Sequence, residues 1–350
     1  MYGRLFRYPH VKALLATNFL GRIPNGSGTV AILLLLTDSG VGYDMAGFAV
    51  GVYGIGMALG SPVLGRLVDL TRQLPVLLLS LVVSSVGYIA LAFFDPGENL
   101  GLAFFCILTA GLFTPPLEGC LRTIWKSVLG DDRLVHSAFA LDSGLQELIF
   151  IVGPLIVATC AALVDPSFAL LFTTILSLFG AIGYCAIKPV RRWKGKPRPD
   201  ADGISRWVGP LRRASVNYVL ISIFFIGVAI GILNLTALAF ADQSGSPWES
   251  GAILGIMAFG ALVGGVVYGL RAPLSAAIDH LPLLAGALFF MYVPMVIISL
   301  MQLPSLALIS FAAFAAGVPL APTIAAAFSA LSTQTILGTE TEAFSWLVSM

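Results

Sequence analysis

Residues 47–72 read GFAVGVYGIGMALGSPVLGRLVDLTR, an apolar run with glycines at 47, 51, 56, 60 and 65 that ends in a charged turn. The chain repeats the pattern. Gly251, Gly255, Gly260, Gly264 and Gly269 recur at one constant offset of 204 residues, inside GAILGIMAFGALVGGVVYGLR. Five matched glycines without a slip, even in a chain holding 37, imply two homologous halves, each a bundle. On a helix these glycines form a flat face that a neighbouring helix can approach closely. Small-residue packing accounts for each glycine singly; the constant offset is what carries the repeat.

The chain is 58% hydrophobic and 11% charged, with a mean hydropathy of +0.94. A soluble domain carries roughly 25% charged residues, so this is a polytopic membrane protein. A bilayer core takes about 20 apolar residues per helix, and such runs lie near 12–36, 45–67, 75–94, 100–122, 137–163, 167–187, 217–241, 250–270, 281–302 and 304–330. That predicts ten helices, with an eleventh beginning near Glu342. The basic N-terminus and following apolar run lack a small-residue cleavage site, and Arg22 interrupts the run, so it reads as an uncleaved first helix.

All 19 Lys and Arg fall on alternate loops or their helix ends, except Arg22. The opposite loops hold Asp38, Asp44, Asp95, Glu98, Asp165, Asp242 and Glu249 and no basic residue. The side with Arg4, Arg7, Lys12, Arg66, Arg72, Lys126 and Arg133 is therefore expected to be cytoplasmic, the N-terminus with it. Net charge near +1 hides this asymmetry. Between the halves, Lys188 to Arg213 carries nine basic residues against Asp200 and Asp202. This composition builds no core and reads as a cytoplasmic linker against anionic lipid headgroups; a nucleic-acid partner is not expected of a run set between two membrane bundles. The resulting division is 1–187, six helices; 188–214, linker; 215–350, a second and incomplete bundle. Applied to the first half's end near Lys188, the offset places the natural terminus about 40 residues, or two helices, beyond Met350, so the sequence reads as truncated in its eleventh helix.

Two bundles joined by a basic loop resemble the major facilitator superfamily of transporters. That family's signature after the second helix, G-x-x-x-D-R-x-G-R-K, falls on Gly65 to Leu74. Gly65 and Asp69 fit; Leu70 and Arg72 stand where the family has Arg and Gly, and the closing basic pair is absent. The resemblance implies a cytoplasmic gate at Gly65 and Asp69, with Arg72 a candidate basic partner for Asp69. In IFIVGPLIVA of the fifth helix, Gly153 and Pro154 fit the Gly-Pro of the family's antiporter motif, while its flanking glycines are replaced by Ile149, Val157 and Ala158. The resemblance also places the first and fourth helices on a central cavity, flanked by the fifth.

Buried charge in a membrane costs at least a few kcal/mol and marks function. Asn18, Arg22 and Asn25 share one face of the first helix, where Pro24, Gly26 and Gly28 loosen the ladder. The fourth helix carries Glu118 and Arg122 after Pro115-Pro116; the fifth carries Asp142, Gln146 and Glu147. Counting residues from the helix ends pairs Arg22 with Glu147 and Arg122 with Asp142, with Glu118 a proton site or second partner. The competing readings are a snorkelling Arg122, an interfacial Asp142 and an ion pair that only fixes packing. The second half has fewer polar residues, with Asn234 in the seventh helix, Tyr292 in the ninth and Thr323 in the tenth; Asn234 is a candidate substrate contact or an interhelical bond. Cys106, Cys120, Cys160 and Cys185 form no C-x-x-C, and His10, His136 and His280 are dispersed, so no metal or other cofactor is expected. No Walker A, H-E-x-x-H or G-x-S-x-G occurs, which argues against ATP drive and against an enzyme.

The expectation is a monomeric secondary active transporter of a small molecule, coupled to protons or another ion, in a plasma membrane of bacterial cytoplasmic type. Export of an amphipathic compound is favoured. The alternatives are uptake of a metabolite or sugar, and a transport-dead sensor or assembly subunit.

Overall fold

A computed structural model of the chain describes residues 2–196, 209–244, 246, 248–270, 277–301 and 305–350. Most of the linker's central stretch, with Asp200 and Asp202, lies outside the described residues. The described chain is helical, and 10 helices are long and apolar enough to cross a membrane. They occupy the ten predicted spans, from Val11–Asp38 to Leu306–Gln334, and a further helix, Glu340–Ser349, follows. The outward-facing side chains include Leu59, Val63, Leu79, Phe105 and Phe179. Such a surface is stable only against hydrocarbon, where each helix satisfies its own backbone.

Three spans are broken, each at a proline or a buried charge. The first divides into Val11–Gly21 and Ile23–Asp38 at Arg22, with Pro24 in the first turn of the second piece, where its missing N–H costs nothing. The fourth divides into Leu100–Leu112 and Leu117–Leu129 around Pro115-Pro116. The tenth divides into Leu306–Gly317 and Leu320–Gln334 at Val318-Pro319.

The glycine repeat has a physical counterpart. A Cβ added at Gly60, in the second span (Tyr43–Leu70), would run into the Leu112 carbonyl; at Gly264, in the eighth span (Trp248–Leu270), into that of Val318. Gly56 and Gly260 likewise face backbone of the fourth and tenth spans. One turn further, Gly65 lies against Ser345 and Gly269 against Tyr2 and Ala140, so the last pair packs across the halves. Gly47, Gly51, Gly251 and Gly255 have nothing within 4 Å. Gly60→Ala and Gly264→Ala should each destabilise the protein by about 1–3 kcal/mol, because carbonyl oxygens rather than pliable side chains stand in the way. Gly51→Ala and Gly255→Ala should be neutral or up to about 1 kcal/mol stabilising. Thermal unfolding in detergent tests this; equal behaviour of all four variants would reject the correspondence.

Candidate functional site: a buried ion cluster beneath a central cavity

The breaks in the first and fourth spans face each other. Asn18 donates through Nδ2 to the Leu117 carbonyl at 2.8 Å, tying the first span to the first turn of the helix that follows Pro115-Pro116. Its Oδ1 accepts from Arg22 Nη1 at 3.2 Å. The break at Arg22 turns its guanidinium into the bundle. There it meets Asp142 of the fifth span (Asp132–Leu163) at 2.7 Å and Glu118 at 3.1 Å. Arg122 Nη2 stands 2.8 Å from the other Asp142 oxygen, and Arg122 also holds Glu118 one turn earlier on its own helix. Two arginines and two carboxylates thus close a ring in which every charge has two opposite neighbours. All four are buried. Desolvating an ion costs several kcal/mol, and only full pairing offsets it. The Arg122 guanidinium also lies 3.3 Å from the ring centre of Phe328, in the tenth span, a cation–π contact.

The geometry corrects one expectation and meets another. Arg22 pairs with Asp142 and Glu118, not with Glu147, whereas the Arg122–Asp142 pair is present. Asp142 and Glu147 lie about 7.5 Å apart along their helix and about 140° around it, so they face different surroundings. Glu147 lines a cavity of about 900 Å³ between the halves, with Glu118, Gln146, Asn234, Gly251 and Phe328 also on its wall. No arginine or lysine lines it among the described residues, and Glu147 has no ion-pair partner there. Asn25 borders a smaller side cavity of about 270 Å³ with Ser61, Thr114 and Glu118. Asn18 belongs to the ion cluster and not to the cavity wall.

At the end bearing Arg66, Lys126 and Arg133 the halves are in contact. Asp69 accepts the backbone N–H groups of Thr341 at 3.1 Å and Glu342 at 2.8 Å, capping the helix Glu340–Ser349. A carboxylate there satisfies two of the helix's orphan donors and faces the positive end of its dipole. Arg66 approaches Glu342 at 3.9 Å, and Lys196 approaches Glu340 at 3.6 Å. Arg72, the expected partner of Asp69, is exposed, and the oxygens of Asp69 are taken by amides instead. Lys126 donates to the Ser332 carbonyl at 2.5 Å and Arg213 to that of Gln334 at 2.7 Å, both near the C-terminal end of the tenth span. On the opposite seam, Ser137 donates to the Gly269 carbonyl at 2.7 Å and Tyr2 to that of Val266 at 3.1 Å. Burial pushes the Tyr2 phenol up to about 12.

Phe328 and the amides of Thr341 and Glu342 are not identifiable as partners from sequence, because no spacing rule links them to Arg122 or Asp69. The antiporter-like Gly153 does have a visible role: a Cβ there would meet the Ser27 nitrogen at 3.0 Å, and Gly26 faces Ile149 in the same crossing.

A family model described as Major Facilitator Superfamily matches residues 14–342. No curated protein sequence matches the chain. Among solved structures, the human organic anion transporter MFSD10 (TETRAN) aligns with a TM-score of 0.64 at 18% identity, over 97% of this chain and 90% of that one. A bacterial homologue of the iron transporter ferroportin, in an outward-facing state, gives 0.66 at 16%, over 97% and 88%. The E. coli fucose:proton symporter FucP gives 0.67 at 14%, over 97% and 87%.

Proposed function

The chain belongs to the Major Facilitator Superfamily and is a multi-pass secondary transporter, and from that premise we propose that it exchanges protons for an amphipathic small molecule, with Glu147 as the proton site. The observation that carries this reading is the charge count. The Arg22, Arg122, Asp142 and Glu118 charges cancel, and Glu147 is a fifth group, buried against the cavity with no cation paired to it among the described residues. Ionised, it leaves one uncancelled charge in a low-dielectric site; protonated, it leaves none. Occlusion of the cavity is therefore favoured once the charge is neutralised, which ties the rocking of the bundles to proton binding. The ring itself holds the broken first and fourth helices in place, so no step requires Arg22 to be released.

With the basic end cytoplasmic, the contacts of Asp69, Lys126 and Ser137 close the cytoplasmic side, and the cavity is reached from the outside. The apolar walls favour an amphipathic cargo over a sugar, which would need several hydrogen-bonding side chains. MFSD10 transports organic anions by its description; here both arginines are covered by carboxylates, which argues against that cargo. Export across a bacterial cytoplasmic membrane and the 1–187, 188–214 and 215–350 division belong to the same proposal.

The test is purified protein in liposomes with a trapped pH dye, challenged with amphipathic drugs, sugars and organic acids. Proton movement dependent on an amphipathic compound is expected. Counterflow of labelled compound without proton movement would overturn the coupling. A second prediction concerns the closed end. Asp69→Ala removes the cap and should cost the contact about 1–2 kcal/mol, so a buried Ser345→Cys should react about tenfold faster with a membrane-impermeant thiol reagent on the basic side. Unchanged labelling would remove Asp69 from the gate.

A further inference from the structure

We propose that the transported molecule is an organic cation with a hydrophobic body and one positive charge, which takes the place of the proton at Glu147. This rests on the reading of Glu147 as the proton site and adds the class of its competitor. The cavity wall carries two carboxylates, Glu118 and Glu147, and no basic side chain among the described residues. Glu118 is spoken for by Arg22 and Arg122. Glu147 is only 6% exposed, yet no hydrogen-bond or ion-pair partner is seen for its carboxylate among the described residues. A buried carboxylate aimed into a cavity without a partner is a binding group awaiting one positive charge.

The groups that face Glu147 do not supply that charge. Glu118 approaches from the fourth span and the Tyr292 phenol, from the ninth span (Ala277–Leu300), lies within electrostatic reach. Arg22, Arg122 and Asp142 lie beyond Glu118, closed on one another. The rest of the wall sets the body of the ligand. Ile151, Leu155, Ile230 and Leu254 are aliphatic, and Phe150 offers an aromatic face that suits a cation. Gln146 and Asn234 are the remaining amide groups for orientation. About 900 Å³ lies within the range of drug-sized sites. One cation exchanged for one proton leaves the cavity's charge unchanged at each half-cycle, so the exchange of a monocation moves no net charge.

The probes are tetraphenylphosphonium, which cannot itself release a proton, and tetraphenylborate, nearly the same shape with opposite charge. Binding to the detergent-purified full chain is measured between pH 5 and 8 in weak buffer. The phosphonium should bind, release about one proton per cation over part of that range, and there lose affinity about tenfold per pH unit of acidification. Glu147→Gln should weaken it at least tenfold, Glu147→Asp should retain most of it as a control for folding, and the borate should not bind. Absence of phosphonium binding throughout this range overturns the proposal, as does binding unaltered in Glu147→Gln. Borate binding in place of the phosphonium, with proton-coupled flux still lost in Glu147→Gln, rejects the cation and leaves the proton site standing.

Discussion

Glu147→Gln should abolish proton-driven accumulation while leaving a folded protein. Glutamine has nearly the shape of a protonated glutamate but no proton to release, so the site is held permanently in its neutral state. Uphill transport driven by a pH gradient should fall to background, a loss on the order of a hundredfold or more, the range seen for removing a positioned proton-transfer group elsewhere. Exchange of an uncharged cargo should persist within a few-fold, because alternating access no longer waits for a proton; exchange of a cationic cargo should fall with the charge. Stability gives an independent reading. The substitution removes an uncompensated buried charge and breaks no ion pair among the described residues, so the thermal midpoint should equal or exceed that of the native protein. Proton-driven accumulation at the native rate in this variant would remove Glu147 from the coupling path.

The repeat and the spans were legible because both are one-dimensional. A glycine face needs small residues at fixed spacing, and a span needs a run of apolar ones. Azimuth was not legible. Depth counting placed Arg22 level with Glu147, but a break in the helix at Arg22 and a long guanidinium arm brought it to Asp142 and Glu118 instead. Pro24 signals that break within a turn; the break itself lies at the charge, where Ser177 donates to the Gly21 carbonyl that ends the first half-helix. Asp69 is likewise singled out by resemblance, but its partners are backbone amides of a helix some 270 residues away, and backbone partners carry no sequence signature. Arg72 was the reasonable basic candidate and was displaced because a helix N-terminus offers two donors at once.

The halves share a scaffold and divide the labour. The matched pairs Gly56 and Gly260, Gly60 and Gly264 serve identical crossings. The charged groups around the cavity belong to the first, fourth and fifth spans, and the second half answers with Phe328, Met257, Leu254 and Ile324. A symmetric scaffold with an asymmetric lining lets one half hold the cavity's charges while the other presents an apolar face that slides past without breaking the ion ring. That arrangement suits a rocking motion, since an ion ring confined to one bundle moves as a unit.

Arg122→Leu should be the most destabilising single change in the cluster, by about 3–5 kcal/mol, because it leaves Asp142 and Glu118 sharing one arginine in a buried site. It also removes the cation from the face of Phe328, a contact worth about 2 kcal/mol where desolvated. The diagnostic outcome is the rescue. In the Arg122→Leu background, Asp142→Asn restores a single carboxylate to a single arginine, so the double variant should be more stable than Arg122→Leu alone. By itself Asp142→Asn should destabilise the native protein, since it leaves two arginines around Glu118. Thermal unfolding of the four proteins in detergent gives the coupling. A coupling energy above about 1 kcal/mol, beyond the additivity seen for independent sites, marks a charge-balanced ring. Additive losses would mean that the four side chains act through packing alone. The cluster would then be a structural plug beneath the cavity, and the charge count that singles out Glu147 would lose its basis.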